Sequence, residues 1–264
     1  MHYKKRTVKE ELIKCWRRLL IPFLVINGIC FLIRVFIFKD ASLIEILKTD
    51  LYRESDVMCN PLWFCLSLSL VRILYQLFKN DRIRPIVVLI FFIIAVFLNY
   101  YSYGLDDKRI ISIPPWIGNI FLGFFFYGLG DYMKEIQFKR KPFVIAIILF
   151  LGFQFFHVSL DFYKNASENS YLLAVLYDLS GIIVFNNLFK LCLNVKIPLL
   201  THIGANSMVY YISHYTFFYL LLINHAYEAP DWLVFAVAVT LTIVFLLLMD
   251  WLLTKTPMKW LIGG

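Results

Sequence analysis

The sequence predicts an all-α fold, a polytopic membrane helix bundle of about eight transmembrane helices with both termini cytoplasmic. Three observations predict it. Hydrophobic residues fill 61% of the 264 positions, above the ~45–50% of soluble domains. They gather in eight apolar runs, at about 19–38, 60–79, 84–101, 115–130, 142–159, 171–190, 205–224 and 231–253, each near the ~20 residues that cross a bilayer. The basic residues alternate sides. With the N-terminus inside, the inner segments hold 18 Lys/Arg and the outer loops 6, as the positive-inside rule requires.

The elements follow in order. Residues 1–18 form a cytoplasmic segment whose 7–18 stretch reads as an amphipathic helix. Val8, Leu12, Cys15, Trp16 and Leu19 recur at helical spacing opposite the charges, which suits a helix in the inner headgroup layer leading into the first span. Pro22 falls near that span's start, where a missing N–H is harmless. The longest connection is the outer loop 39–59, whose centre at 43–47 predicts a short interfacial helix. The run at 115–130 is short, and Ile111, Ile113 and Pro114 extend it. Pro198 sets off the inner loop 191–204 from the seventh span. The transmembrane domain covers 19–253, and 254–264 is a cytoplasmic tail, too short to span and placed at the inner interface. No internal repeat of the kind that builds inverted-repeat transporters is visible.

Composition excludes several function classes. The net charge of +8 follows from the inner loops and points to anionic lipid rather than nucleic acid, since no basic patch sits on a soluble domain. Five scattered cysteines without CxxC spacing give neither a disulfide framework nor a metal site. The N-terminus is not a signal peptide, because its apolar run has full span length and no small-residue cleavage site follows. The Asn165–Ser167 triplet is a glycosylation sequon on a predicted outer loop, relevant only in a eukaryotic secretory pathway. Phosphate-binding glycine loops, GxSxG and HExxH are missing.

Polar groups inside spans are the functional candidates, because they are expensive in lipid. Arg34 lies near the outer end of its span and can snorkel to the headgroups. Arg72 lies seven residues before Lys79, about 10 Å from the inner edge. Cys65, Ser69, Arg72 and Gln76 place it on one polar stripe. Asp178 lies within the sixth span and needs a partner; an Arg72–Asp178 ion pair and a substrate-binding role are the two readings. In the seventh span Asn206, Tyr210 and His214 share a face, flanked by Ser207 and Ser213. His214 near mid-membrane either transfers a proton or hydrogen-bonds to another helix. His157, His202, His225 and His2 fall at edges, in loops or in the tail and read as solvated. In the fourth span Gly118, Gly123, Gly128 and Gly130 read as close-packing positions, with no chemistry implied.

Three blocks carry a family resemblance: Arg17–Pro22 (RRLLIP), Pro61–Phe64 (PLWF) and Gly204–His214 (GANSMVYYISH). In this order they resemble the acyltransferase 3 family of integral membrane O-acyltransferases. The second block is especially like the fucose 4-O-acetylase-like branch, and the last resembles the family's Gly-x-x-Ser…His signature. The resemblance covers nearly the whole chain. It implies transfer of an acyl group, usually acetyl from acetyl-CoA, to a hydroxyl of a cell-envelope polysaccharide or its lipid-linked precursor, in the bacterial inner membrane. Acyl-CoA is then a co-substrate and no cofactor is resident. On this reading Arg17 and Arg18 stand at the inner mouth as acyl-CoA phosphate ligands, for which the guanidinium fork is suited, and Arg72 continues that path. Trp63, Tyr101, Tyr103 and Trp116 offer aromatic surface to the glycan. Ser69, Asp178, Ser207 and Tyr210 line a polar cavity, and His214 is the candidate catalytic residue.

The chain also departs from the family pattern. Members typically have ten spans, with the His proposed for catalysis in the first. This chain shows eight, and Arg17–Arg18 stand where the family's third span is expected to begin. The first two helices and their His are therefore expected to be absent from this sequence, leaving a protein with a different start, a truncated one, one complemented by a partner chain, or an inactive one. The competing reading is a non-catalytic membrane protein, either a degenerate acyltransferase subunit or a glycan-precursor transporter. Binding of CoA by the purified protein discriminates the two.

Overall fold

The computed structural model describes residues 7–32, 35–36, 42–45, 62–78, 80–102, 115–133, 140–156, 158, 170–192, 198–207, 209–211 and 231–257. Among these residues the protein is all α, with no strand. Its helices are α1 (Val8–Leu32), α2 (Leu43–Glu45), α3 (Trp63–Leu77), α4 (Arg84–Ser102), α5 (Pro115–Met133), α6 (Arg140–Phe155), α7 (Tyr171–Cys192), α8 (Pro198–Ala205) and α9 (Asp231–Lys255). By length and apolarity α1 and α7 each suffice to cross a membrane, and α3, α4 and α6 are apolar but shorter. The predicted runs at 60–79, 84–101, 115–130, 142–159, 171–190 and 231–253 coincide with α3, α4, α5, α6, α7 and α9. Most of the 205–224 run lies outside the described residues, as do Arg34, Tyr103, Asn165 and His214.

The N-terminal amphipathic segment and the first span are one continuous helix. Thr7 begins it with a capping box: its hydroxyl accepts from the Glu10 amide and Glu10 accepts from the Thr7 amide. Trp16–Leu20 is a π-helical turn, closed by the Ile21 amide on the Trp16 carbonyl. Pro22 explains its place. A proline inside a helix lacks the donor for the carbonyl four residues back and its ring presses on that carbonyl. A wider turn just before the ring relieves both. The buried stripe of α1 runs Glu11, Cys15, Leu19, Phe23, Asn27 and Cys30, whereas Leu12, Trp16, Leu24 and Leu32 face outward. Of the predicted apolar face, Leu12 and Trp16 are exposed while Cys15 and Leu19 are buried, and Glu11 shares the buried side with them.

The exposed and buried sets show why this suits lipid. Outward positions carry Ile86, Leu89, Ile93 and Phe97 on α4, Ile145, Ile148 and Leu151 on α6, and Val244, Leu247 and Leu248 on α9. Apolar faces of that extent aggregate in water. Buried positions include Glu11, Asn27, Ser67, Ser69, Asn119, Ser180 and Asn187, polar groups that hydrocarbon drives inward.

The chain forms two compact units. One joins residues 1–73 and 197–264. Its core sets Cys15, Leu19 and Phe23 of α1 against Leu62 and Cys65, with Ile73 and Tyr211 packed alongside. The other unit, 74–196, is built from an α4–α5 pair and an α6–α7 pair joined through α4 and α7. Phe91 stacks on Phe124 at 4.2 Å and Phe92 on Phe125 at 4.4 Å between α4 and α5. Phe150 stacks on Tyr177 at 5.2 Å between α6 and α7. The turn into α4 is clamped by charge. Tyr75 donates to Asp131 at 2.8 Å, and Arg84 lies 3.8 Å from Asp131 and 3.4 Å from Asp81.

Small residues in α5 pack closely at one position that can be named. A Cβ on Gly128 would lie 2.5 Å from a Val88 methyl, whereas one on Gly118 or Gly130 would meet nothing within 4 Å. Gly128→Ala therefore forces Val88 and its helix away, an overpacking cost of ~1–3 kcal/mol. The thermal midpoint of the detergent-purified protein is expected to fall for Gly128→Ala and to stay unchanged for Gly130→Ala. Equal midpoints for both would contradict the close approach of α4 and α5.

Candidate functional site

The polar groups of the first unit are set by α1, α3, α8 and α9. Arg72 on α3 meets Glu11 on α1: its Nε donates to Glu11 Oε1 at 2.7 Å, and an Nη2 contact closes the ion pair. The Glu11 side chain is only 2% exposed and that of Arg72 15%. The carboxylate that engages Arg72 is thus Glu11, a partner sequence reasoning did not single out. A signal was available, because Glu11 sits four and eight residues before Cys15 and Leu19, on the stripe that α1 buries. Ser69 is also buried on the predicted stripe, but its hydroxyl donates to the Cys65 carbonyl at 2.7 Å within its own helix.

Arg17 and Arg18 project from the π-helical turn and are exposed. Among the described residues neither forms an ion pair. The turn widens the helix at the point where both guanidinium groups leave it. Trp63, half-buried at the start of α3, meets Phe64 edge-on at 6.0 Å.

A second polar group forms where α8 meets α9. Pro198 is the first residue of α8 and needs no hydrogen-bond acceptor there. The predicted inner loop 191–204 is therefore helical in its second half. His202 Nε2 lies 2.7 Å from Asp250 Oδ2. The Asn206 amide nitrogen lies 3.4 Å from His202 Nδ1 and 3.3 Å from Nε2. Tyr210 faces the same Asp250 carboxylate. His202 keeps 43% of its side chain exposed and Asp250 15%. Of the face predicted from Asn206, Tyr210 and His214, Asn206 lies beside His202 one turn earlier and Tyr210 near Asp250, and His214 is outside the described residues. Four-residue spacing backward from Asn206 gives the His202 position, and Asp250 lies inside the last apolar run, whereas Asp231 opens it. Ser207 is exposed on the same segment.

Asp178 lies on α7 in the second unit, half-buried, and its Oδ2 has no hydrogen-bond partner among the described residues. The structure thus gathers Arg17, Arg18, Trp63, Ser69, Arg72, Ser207 and Tyr210 in one unit and Asp178 in the other. His214 falls outside the described residues. Among the described residues no group of three His, Cys, Asp or Glu side chains is placed to hold a metal ion.

The His202–Asp250 pair sets a sheltered carboxylate against one nitrogen of an exposed imidazole. The exposed arginines offer donors to an anion. A family model described as an acyltransferase domain matches residues 1–251. Comparison with curated proteins and with solved structures gave no match.

Proposed function

We propose, since this chain belongs to that acyltransferase family of integral membrane proteins, that it transfers an acyl group from acyl-CoA to a hydroxyl of a cell-envelope polysaccharide or its lipid-linked precursor. Acetyl is the favoured group, acetyl-CoA the donor, and the bacterial inner membrane the location. The observation that carries the reading is the family match over nearly the whole chain. Two exposed arginines on the π-helical turn support it. With both termini cytoplasmic, Arg17, Arg18, His202 and Asp250 all fall toward the inner side, where acyl-CoA is found. A guanidinium pair in the headgroup layer suits the nucleotide phosphates. Arg72, already neutralised by Glu11, organises the helices beneath that mouth rather than meeting phosphate itself. Within the first unit, Trp63 is left for the acceptor.

The cellular test is the ester content of the envelope polysaccharide. Deleting the gene is expected to remove ester-linked acetyl groups, detected by NMR of the purified polymer, and a plasmid copy to restore them. An unchanged acetyl content would count against the acceptor class.

A further inference from the structure

We infer that His202, held by Asp250, is the general base of acyl transfer, so that the reaction centre lies where α8 meets α9. This rests on the acyltransferase reading above. Neither the Arg17–Arg18 block nor the Gly204–His214 block contains His202, and the approach of α8 to α9 singles it out.

The Asp250 carboxylate accepts the Nε2 proton of His202 across 2.7 Å, which leaves the lone pair on Nδ1, a tautomer assigned from that bond. Asp250, at 15% exposure, is sheltered, while the ring it holds is 43% exposed and within reach of a substrate. A sheltered carboxylate behind an accessible imidazole orients the ring and stabilises the imidazolium once a proton arrives. Asn206 rests against the ring at nearly equal distances from both nitrogens, so it limits rotation without settling on Nδ1. Tyr210 faces the Asp250 carboxylate and helps fix it. Tyr211, next in sequence, packs into the core formed by Cys15, Leu19 and Leu62. That contact ties this polar segment to the helix that carries Arg17 and Arg18.

The chemistry balances with the two proposed substrates alone. The acceptor hydroxyl oxygen attacks the thioester carbonyl carbon and a C–O bond forms. Its proton passes to His202 Nδ1. The C–S bond then breaks, and the imidazolium returns the proton to the departing CoA thiolate. The products are the O-acyl ester and CoA thiol. His202 is a catalytic residue in this step, and Asp250 and Asn206 are positioning residues.

The test uses the full chain in lipid nanodiscs, with radiolabelled acetyl-CoA and envelope polysaccharide extracted from the producing cells. His202→Gln and His202→Ala are expected to lower kcat by ~10²–10⁴-fold, with acetyl-CoA binding and thermal midpoint unchanged. Added imidazole is expected to restore part of the rate in His202→Ala and none in Asp250→Asn, whose ring is still present but held in the wrong tautomer. Unchanged kcat in both His202 variants, with active wild type, would overturn the inference and leave the acyltransferase reading standing. So would losses that track a fall in thermal midpoint in both variants without imidazole rescue, which assign the ring a structural role. A wild type that transfers no acetyl would overturn both.

Discussion

Replacing Glu11 with alanine is expected to cost the protein ~3–5 kcal/mol of stability, the usual penalty for leaving one member of a buried ion pair alone. Arg72 would then keep its charge at 15% exposure, beside Cys15, with no other buried carboxylate among the described residues. A domain has only ~5–15 kcal/mol of stability in total, so most of the variant should be lost from the folded pool. Arg72→Ala leaves the opposite charge behind and should be equally harmful. Removing both charges, in Glu11→Met with Arg72→Met, is expected to return the thermal midpoint close to that of the wild type, because an apolar pair of similar volume replaces a costly polar one. Thermal unfolding of the four proteins in one detergent gives the cycle. If the single variants are as stable as the wild type, Glu11 is not buried beside Arg72. If the double variant is as damaged as the singles, the two residues act separately.

Arg17→Ala combined with Arg18→Ala is expected to raise the KM for acyl-CoA by ~10²–10⁴-fold while leaving the folded protein intact. Each hydrogen bond to a charged group contributes ~1.5–3 kcal/mol, and 1.4 kcal/mol is tenfold. Both side chains are exposed and outside the core, so their loss should hardly move the thermal midpoint. Lysine at both positions should restore only part of the affinity, because an ammonium keeps the charge and loses the planar fork. Raised salt should weaken wild-type binding more than that of the alanine variant. Acyl-CoA titration of the purified proteins checks all three, and an unchanged affinity in the double alanine variant would remove the phosphate role.

How much of this was legible in the sequence depends on the kind of signal. Helices α3 to α7 and α9 follow from the length of apolar runs, a signal that lipid makes strong because every backbone group in it must bond within its own helix. The stripe of Cys65, Ser69 and Arg72 follows from period alone. In α1 the amphipathic reading set Leu12 and Trp16 on the side that meets the headgroup layer, and both are exposed. The part it did not single out is Glu11, on the buried side. The π-helical turn at Trp16–Leu20 was also hidden, although Pro22 marks where one would relieve the backbone. His202 and Asp250 are 48 residues apart, and no local pattern links them. Only the approach of α8 to α9 makes them a pair.

The central claim is acyl transfer itself, and purified protein tests it most directly. The full chain in lipid nanodiscs is incubated with radiolabelled acetyl-CoA and envelope polysaccharide from its own cells, and label in the polymer is counted after gel filtration. The account predicts label that alkali releases, as an ester must, and that falls sharply in the Arg17→Ala, Arg18→Ala protein. Wild-type protein that is folded and binds no acyl-CoA, and leaves the polymer unlabelled, would contradict it.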